Sequence, residues 1–364
     1  MVRAKGRRLA VDVSPLFESQ WTGIPVFTRR AVQALMACKG VTLDYCFDLV
    51  SIPASAVMDA LRVNSGWPLR EAYESHCGRH SKLVDLRRPI FYPSVKRQPG
   101  AAVRESHTVH DLSPLFMPET HETANIDYHL QNLQQEIQTS DTVFCASGAT
   151  QAALVQAYPG ARNKTRVLYQ YADWPAQFEA IDRNLPIPRL GRYAVVIGTL
   201  EPRKNLSLLL NALSEPAIRD SKLRFVVVGR TGWKVDAFMS KLKPDDRERV
   251  IFSGFVSEFV KYRLLRHCEF LVYPSLYEGF GIPAVEAMLL GKPVLASMTS
   301  SFPEVIGNAG VFFDPCSTAD FAAAFQEISD PRKQAFLSGH ARTQAAQFSA
   351  EAMGSTLKQW ALAG

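Results

Sequence analysis

Short apolar runs rich in β-branched and aromatic residues alternate with helical patterns along nearly the whole chain, and this alternation limits the fold more than any other feature. Residues 9–13, 42–47, 90–92, 108–110, 142–145 and 166–169 read as strands, with helical patterns at 27–38, 127–139 and 148–158. Such an order builds a parallel sheet with helices on both faces. Residues 171–192 are rich in proline and weak in periodicity, which marks a connection. A second series follows, with strands at 193–197, 223–228, 250–252, 270–273 and 293–296 and helices at 205–213, 257–267 and 283–290. A chain of 364 residues exceeds the size at which one core keeps growing. The fold expected is α/β, with two Rossmann-like doubly wound domains facing each other across a cleft. The boundaries expected are 1–172 for the first domain, 173–192 for a linker, 193–345 for the second domain and 346–364 for a last helix that returns to the first.

In open α/β sheets ligands sit beyond the carboxyl ends of strands, so those positions carry the functional reading. The first strand is followed by SPLFESQWTGIPVF, where Gly23 can bring backbone amides to a helix start, and the fourth by His110 and Asp111. Residues 193–197 lead into GTLEPRKN, which carries Glu201, Arg203 and Lys204, and residues 223–228 into GRTG, too short for a dinucleotide fingerprint. After 270–273 comes SLYEGFGIPAVEAML, with Glu278 on a loop between two glycines' reach of the next helix and Glu286 the sole charge on that helix. Arginine forks onto phosphate oxygens, lysine adds a point charge and a helix start adds partial positive charge, so a diphosphate suits the first motif. A carboxylate can accept two hydrogen bonds from a vicinal diol, so Glu286 suits a ribose and Glu278 a sugar hydroxyl. Each has a plainer alternative: Glu286 as a first-turn carboxylate, Arg203 and Lys204 as a solvated loop pair, His110 as a satisfied core histidine, Gly23 as a turn glycine. Glu201 is read as ordering its loop.

Composition excludes several other classes. The chain is 47% hydrophobic and 21% charged, with a net charge of +6 and a pI near 9.0. That excess is thinly spread, with no arginine-rich groove or zinc spacing, which argues against nucleic acid. The basic start MVRAKGRR is read as a solvated tail, with docking on anionic lipid as the alternative. No apolar run approaches the ~18 residues of a membrane span and no signal-peptide core follows the start, so a cytoplasmic protein is expected, with peripheral attachment at the inner face of the membrane as its variant. Cys38, Cys46, Cys77, Cys145, Cys268 and Cys316 lack ligand spacing and are read as reduced and mostly structural. No G-x-G-x-x-G follows a strand, which disfavours a nicotinamide enzyme.

Three stretches carry a family resemblance: GTLEPRKNLSLLLNAL, then FSGFVSEFVKYRLLRHCEFLVYPSLYEGFGIPAVEAMLLGKPVLAS, then FPEVIGNAGVFFDP. Over residues 193–315 they resemble the C-terminal domain of retaining glycosyltransferases of family 4, a GT-B class that includes bacterial mannosyltransferases. TGIPVF and HDLSPLFMPE extend the resemblance more loosely into the first half. It implies a first domain that binds the acceptor and a second that binds a nucleotide sugar, GDP-mannose being the first donor to test, with a glycan or lipid-linked acceptor. The catalytic residues implied are His110, Glu278, Arg203 and Lys204. Donor binding falls to Gly23, Arg203, Lys204, Glu278, Phe280, Gly281 and Glu286, with Arg203 and Lys204 on the diphosphate, Glu286 on the ribose and Glu278 on the sugar. Retention by attack on the face from which the diphosphate leaves is implied, and neither cofactor nor metal is expected, since the chain has no Asp-x-Asp. Two departures stand out, Cys268-Glu269 in place of the frequent Ala-Asp and the poorly matched residues 51–88. A sugar-nucleotide epimerase or hydrolase of the same architecture, and a non-catalytic sugar-nucleotide-binding protein, are the rival readings.

Overall fold

A computed structural model of the chain describes residues 7–76, 82–235, 242 and 246–363. The chain divides into two compact units, the first made of residues up to 115, 123–171 and 349 onward, the second of 116–122 and 172–348.

The first unit holds a seven-stranded sheet: β1 (Arg7–Asp12), β2 (Val41–Phe47), β3 (Val50–Ile52), β4 (Ile90–Tyr92), β5 (Glu105–Val109), β6 (Thr142–Cys145) and β7 (Thr165–Val167), in the spatial order β3-β2-β1-β4-β5-β6-β7. All neighbours are parallel except β2 and β3. The inner strands β4 and β6 are buried at every residue, which is why they read in sequence as unbroken apolar runs and not as alternation. The β2–β3 hairpin escapes the sequence reading because its two-residue turn is Asp48-Leu49, both at positive φ, 48° and 67°. That is the geometry Asn-Gly normally signals. The helices Ala54–Val63 and Trp67–His76 likewise go beyond the sequence expectation. The fourth expected strand starts earlier, at Glu105, and ends at Val109, so His110 is the first residue beyond it. The helix Ala350–Leu362 belongs to this unit and packs on Ile24–Met36. Arg7 Nη1 donates to the Leu362 carbonyl at 2.7 Å, Cys38 Sγ approaches the Gly354 carbonyl at 3.4 Å, and Arg104 Nη2 donates to the Trp360 carbonyl at 3.1 Å.

The second unit holds six parallel strands: β8 (Tyr193–Ile197), β9 (Arg224–Val228), β10 (Val250–Gly254), β11 (Leu271–Tyr273), β12 (Val294–Ser297) and β13 (Gly310–Phe313), ordered β10-β9-β8-β11-β12-β13. Its core joins the strand residues Val196, Phe225 and Leu295 to Leu209, Phe321 and Phe325 of flanking helices. β13 and the helices Phe302–Ile306 and Pro331–Ala345 go beyond the sequence reading. Within the stretch read as a linker lies the helix Ala176–Asp182, whose seven residues are too few to show a period. It is held by Asp182, which accepts from Arg263 Nε at 2.6 Å and pairs with His267 Nε2 at 2.9 Å.

In each sheet the strand order reverses beside its first strand, between β1 and β4 and between β8 and β11. Such a switch point opens a crevice at the carboxyl ends of its own sheet, beside the loops that follow its two strands. Among the described residues no helix is long and apolar enough to cross a membrane. Cys38, Cys46, Cys145, Cys268 and Cys316 are free thiols. Cys77 and the first six residues of the basic start lie outside the described residues, while Arg8 pairs with Asp44 at 2.5 Å.

Candidate active site

The loops after β8 and β11 are brought together at the switch point of the second unit. After Ile197 the chain runs through Gly198 to a single turn of 3-10 helix, Pro202–Lys204, and Asn205 at φ 52° then starts the helix Leu206–Ala212. After Tyr273 it runs through Ser275 and Glu278 to Gly281, at φ 93°, which opens Ile282–Leu289. The two loops are joined by backbone, Leu276 N donating to the Arg203 carbonyl at 2.8 Å.

Four charged side chains meet there. Lys204 Nζ lies 2.5 Å from Glu278 Oε1 and Arg203 Nη1 lies 3.3 Å from Glu278 Oε2. Arg203 Nη2 donates to Glu201 Oε1 at 2.7 Å, and Nη1 donates to the Tyr277 carbonyl at 2.7 Å. Two cations and two carboxylates thus cancel. Burial alone would push the Glu278 carboxyl up, but Lys204 and Arg203 outweigh it and hold it below the usual carboxylate range. Tyr273 forms one wall, its ring 5.6 Å from Lys204 Nζ and its phenol driven far up by burial, then by the nearby Glu278. A small recess here is lined by Gly198, Glu201, Lys204, Tyr273 and Ser275.

The GRTG stretch braces the loop after β8. Leu200 N donates to the Arg230 carbonyl at 2.9 Å and Gly232 N to the Leu200 carbonyl at 3.0 Å, so residues 229–232 clamp the phosphate-type loop. A Cβ on Gly229 would stand 1.9 Å from the Gly198 carbonyl oxygen, so no other residue fits. Glu278 is fixed in turn by residues the sequence reading did not single out. Its backbone N donates to Ser300 Oγ at 2.9 Å, and Ser301 Oγ donates to the carbonyls of Glu278 and Phe280 at 3.0 and 3.1 Å. The Phe280 ring is buried edge-on against Phe348 with centroids 5.2 Å apart, which leaves only its backbone for a ligand.

Glu286 belongs to a different set of partners. Its side chain is 3% exposed and Oε1 lies 2.8 Å from Lys261 Nζ. The indole of Trp174 donates to the Glu286 carbonyl at 3.1 Å. Neither Lys261 nor Trp174 carries a motif that a reading of the chain could have found.

Gly23 and His110 both lie in the first unit. Gly23, at φ 53°, is the N-cap of Ile24–Met36. His110 packs edge-on against Phe27 of that helix with ring centroids 4.6 Å apart. Its Nε2–H donates to the Pro93 carbonyl at 2.8 Å, and Gln170 Nε2 is 3.4 Å from Nδ1, which selects the neutral tautomer with Nδ1 accepting. Burial lowers its pKa to about 4. At the switch point of this sheet Asp12 is buried and its carboxyl is pushed up to about 6 by burial, with the Ser14 hydrogen bonds opposing.

Comparison with known proteins gives the family and the fold. Residues 177–342 match the family described as Glycosyl transferases group 1. The chain is 30% identical over 279 residues to the O-antigen chain mannosyltransferase B of Escherichia coli, covering 74% of this chain and 73% of that one. It is 26% identical over 254 residues to the serotype-specific mannosyltransferase WbdA of Escherichia coli, covering 66% of this chain but 31% of WbdA. The crystal structure of Anabaena Alr3699/HepE in complex with UDP-glucose superposes with a TM-score of 0.65 at 17% identity, covering 97% of this chain and 98% of that one.

Proposed function

Because the chain belongs to the group 1 glycosyl transferases and has their GT-B fold of two parallel-sheet α/β domains, we propose that it is a retaining, metal-independent hexosyltransferase. Its donor on this reading is a nucleoside-diphosphate sugar, GDP-mannose first, and its acceptor a growing glycan or a lipid-linked one. The mannosyl choice follows the O-antigen mannosyltransferase relative, and the donor class follows the UDP-glucose of HepE. The role in polysaccharide assembly follows the same relatives.

The observation that carries the reading is the Arg203–Lys204–Glu278 cluster at the switch point. A diphosphate entering there would take over the two cations, and Glu278 would be released to accept hydroxyls of the transferred sugar. One movement would then provide phosphate binding and sugar recognition. As the glycosidic bond lengthens, negative charge grows on the departing phosphate and Arg203 and Lys204 stabilise it. That charge compensation, and not a bound cation, is the basis for proposing metal independence. No carboxylate is assigned as nucleophile, so the acceptor attacks from the face the diphosphate leaves, and the leaving phosphate oxygen takes its proton. Glu286 is assigned to the ribose, Gly281 and the Phe280 backbone to the sugar, Gly23 to the donor phosphates and His110 to a sugar hydroxyl, which would replace the long 3.4 Å contact of Gln170 as the donor to Nδ1. Peripheral attachment to a membrane and a cytoplasmic setting remain part of the proposal through the acceptor class.

The test is turnover of GDP-mannose, UDP-glucose and related donors with and without a mannosyl acceptor, followed by NMR of the product's anomeric carbon. Acceptor-dependent release of the nucleotide with retained configuration is expected. Equal release without acceptor would favour the epimerase or hydrolase, donor binding without cleavage the non-catalytic protein, and an inverted product would remove the retaining step.

A further inference from the structure

Glu286 is the only charge on a helix whose Ala284, Val285, Ala287 and Met288 are fully buried. A carboxylate in such a place must be paired to stay ionised, and where packing alone is at stake an apolar side chain of similar volume serves as well or better. The pairing is made by Lys261, on the helix Glu258–His267, through Nζ 2.8 Å from Oε1.

Lys261 is itself held in place. Its ammonium sits 5.3 Å from the ring centroid of Trp174, a cation–π contact. The Trp174 ring packs edge-on against Tyr262 at 5.3 Å, and Phe178 packs against Tyr262 and Phe259 at 5.5 and 5.1 Å. The segment around Trp174 is thereby fastened to the Lys261 helix by rings. The same indole donates Nε1–H to the Glu286 carbonyl, one of the four carbonyls at the C-terminal end of Ile282–Leu289 that a helix cannot satisfy internally. Two separate elements therefore converge on one glutamate, one at its carboxylate and one at its backbone.

We propose that Lys261, braced by Trp174, is the positioning residue that keeps Glu286 ionised and sets its rotamer for a vicinal diol, and so determines the preference of the donor site for an intact ribose. The inference rests on the assignment of Glu286 to the donor ribose. An ionised carboxylate accepts from both hydroxyls of a diol, whereas a protonated one must donate at one oxygen. Without Lys261 the buried carboxyl loses this counter-ion and the hydrogen bond that draws Oε1 towards the Lys261 helix.

The experiment measures ribose preference by calorimetry, as the affinity of a nucleoside diphosphate divided by that of its 2′,3′-dideoxy analogue, using GDP and UDP with their dideoxy forms. The wild type, Lys261→Met, Lys261→Arg and Glu286→Gln are compared. The wild type should prefer the ribose form, and Lys261→Met should reduce that preference about tenfold while changing affinity for the dideoxy form less than about twofold. Lys261→Arg, which keeps a donor and a charge, should recover most of it. A merely structural lysine would weaken both nucleotides alike. If Glu286→Gln loses the preference and Lys261→Met keeps it, the positioning role is overturned while the ribose assignment stands. If Glu286→Gln keeps the preference, or neither diphosphate binds the wild type, the ribose assignment falls and this inference with it. Should Lys261→Met fail to fold, Trp174→Phe carries the test: it keeps the ring, removes the Nε1–H donor and should lower the preference by about two- to threefold. An unchanged preference in Trp174→Phe would then refute the brace.

Discussion

Replacing Glu278 with glutamine should tighten the binding of a bare nucleoside diphosphate while disabling transfer. From the sequence alone, loss of this carboxylate would be expected to leave bare-nucleotide affinity nearly unchanged. The ion pairs alter that expectation, because phosphate must compete with Glu278 for Lys204 at 2.5 Å and Arg203 at 3.3 Å. At an effective dielectric of about 20 each contact carries a gross attraction on the order of 5 kcal/mol. The cost of keeping both ions out of water opposes most of it, and measured couplings of close pairs begin near ~1.5 kcal/mol. The low end applies here, since Arg203 keeps Glu201 and the Tyr277 carbonyl as partners. Glu278→Gln should therefore bind GDP or UDP about tenfold more tightly, and its turnover of the intact donor should fall by ~10²-fold or more. Calorimetry at fixed ionic strength reads the first quantity and acceptor-dependent nucleotide release the second. Unchanged or weaker nucleotide binding in Glu278→Gln would show that phosphate does not displace this carboxylate, and the competition argument would fail.

Chelation by EDTA should leave turnover largely intact, whereas Arg203→Ala and Lys204→Ala should each lower kcat/KM by about tenfold or more, with the double variant falling short of the product because both act on one charge; activity abolished by EDTA, restored by manganese and indifferent to both substitutions would reassign the phosphate site. His110 binds its proton more weakly when folded, its pKa lying at about 4 against an ordinary 6.5, so its contribution to stability is complete above pH 6.5 and is lost as the pH falls from there towards 4. Thermal denaturation of wild type and His110→Gln across that range should show a steeper acid-side decline in the wild type, and parallel curves would refute it. At Gly23, with φ 53° and ψ −110° and nothing within 4 Å of an added Cβ, alanine should cost ~1–3 kcal/mol from backbone strain alone; a denaturant midpoint equal to wild type would show that the helix start relaxes.

Both units are legible in the sequence almost strand by strand, with β3 missing from the first and β13 from the second, and the gaps have physical reasons. Strands buried on both faces, such as Tyr193–Ile197, announce themselves as apolar runs bounded by glycine and charge. The hairpin through Asp48-Leu49 lacks the turn residues that would mark it. Ala54–Val63, with only Ala56, Val57 and Ala60 buried, presents a narrow apolar stripe. The charged cluster is legible because Arg203, Lys204 and Glu278 stand in the loops directly after two strands. Lys261 and Trp174 are 25 and 112 residues from Glu286. Only the folded chain brings them to it.

The first unit is closed by a helix, Ala350–Leu362, that the ribosome delivers after the whole of the second unit. At roughly 5–20 residues per second, synthesis of residues 172–348 occupies on the order of ten to thirty seconds. Throughout that interval the flank of Ile24–Met36 that receives the late helix is bare, and the groups that Leu362, Gly354 and Trp360 will engage have no partner from it. Until then the first unit lacks the packing that this helix provides against Ile24–Met36. A premature stop near residue 348 would spare every residue of the charged cluster and yet appear as a folding defect at the opposite end of the gene product.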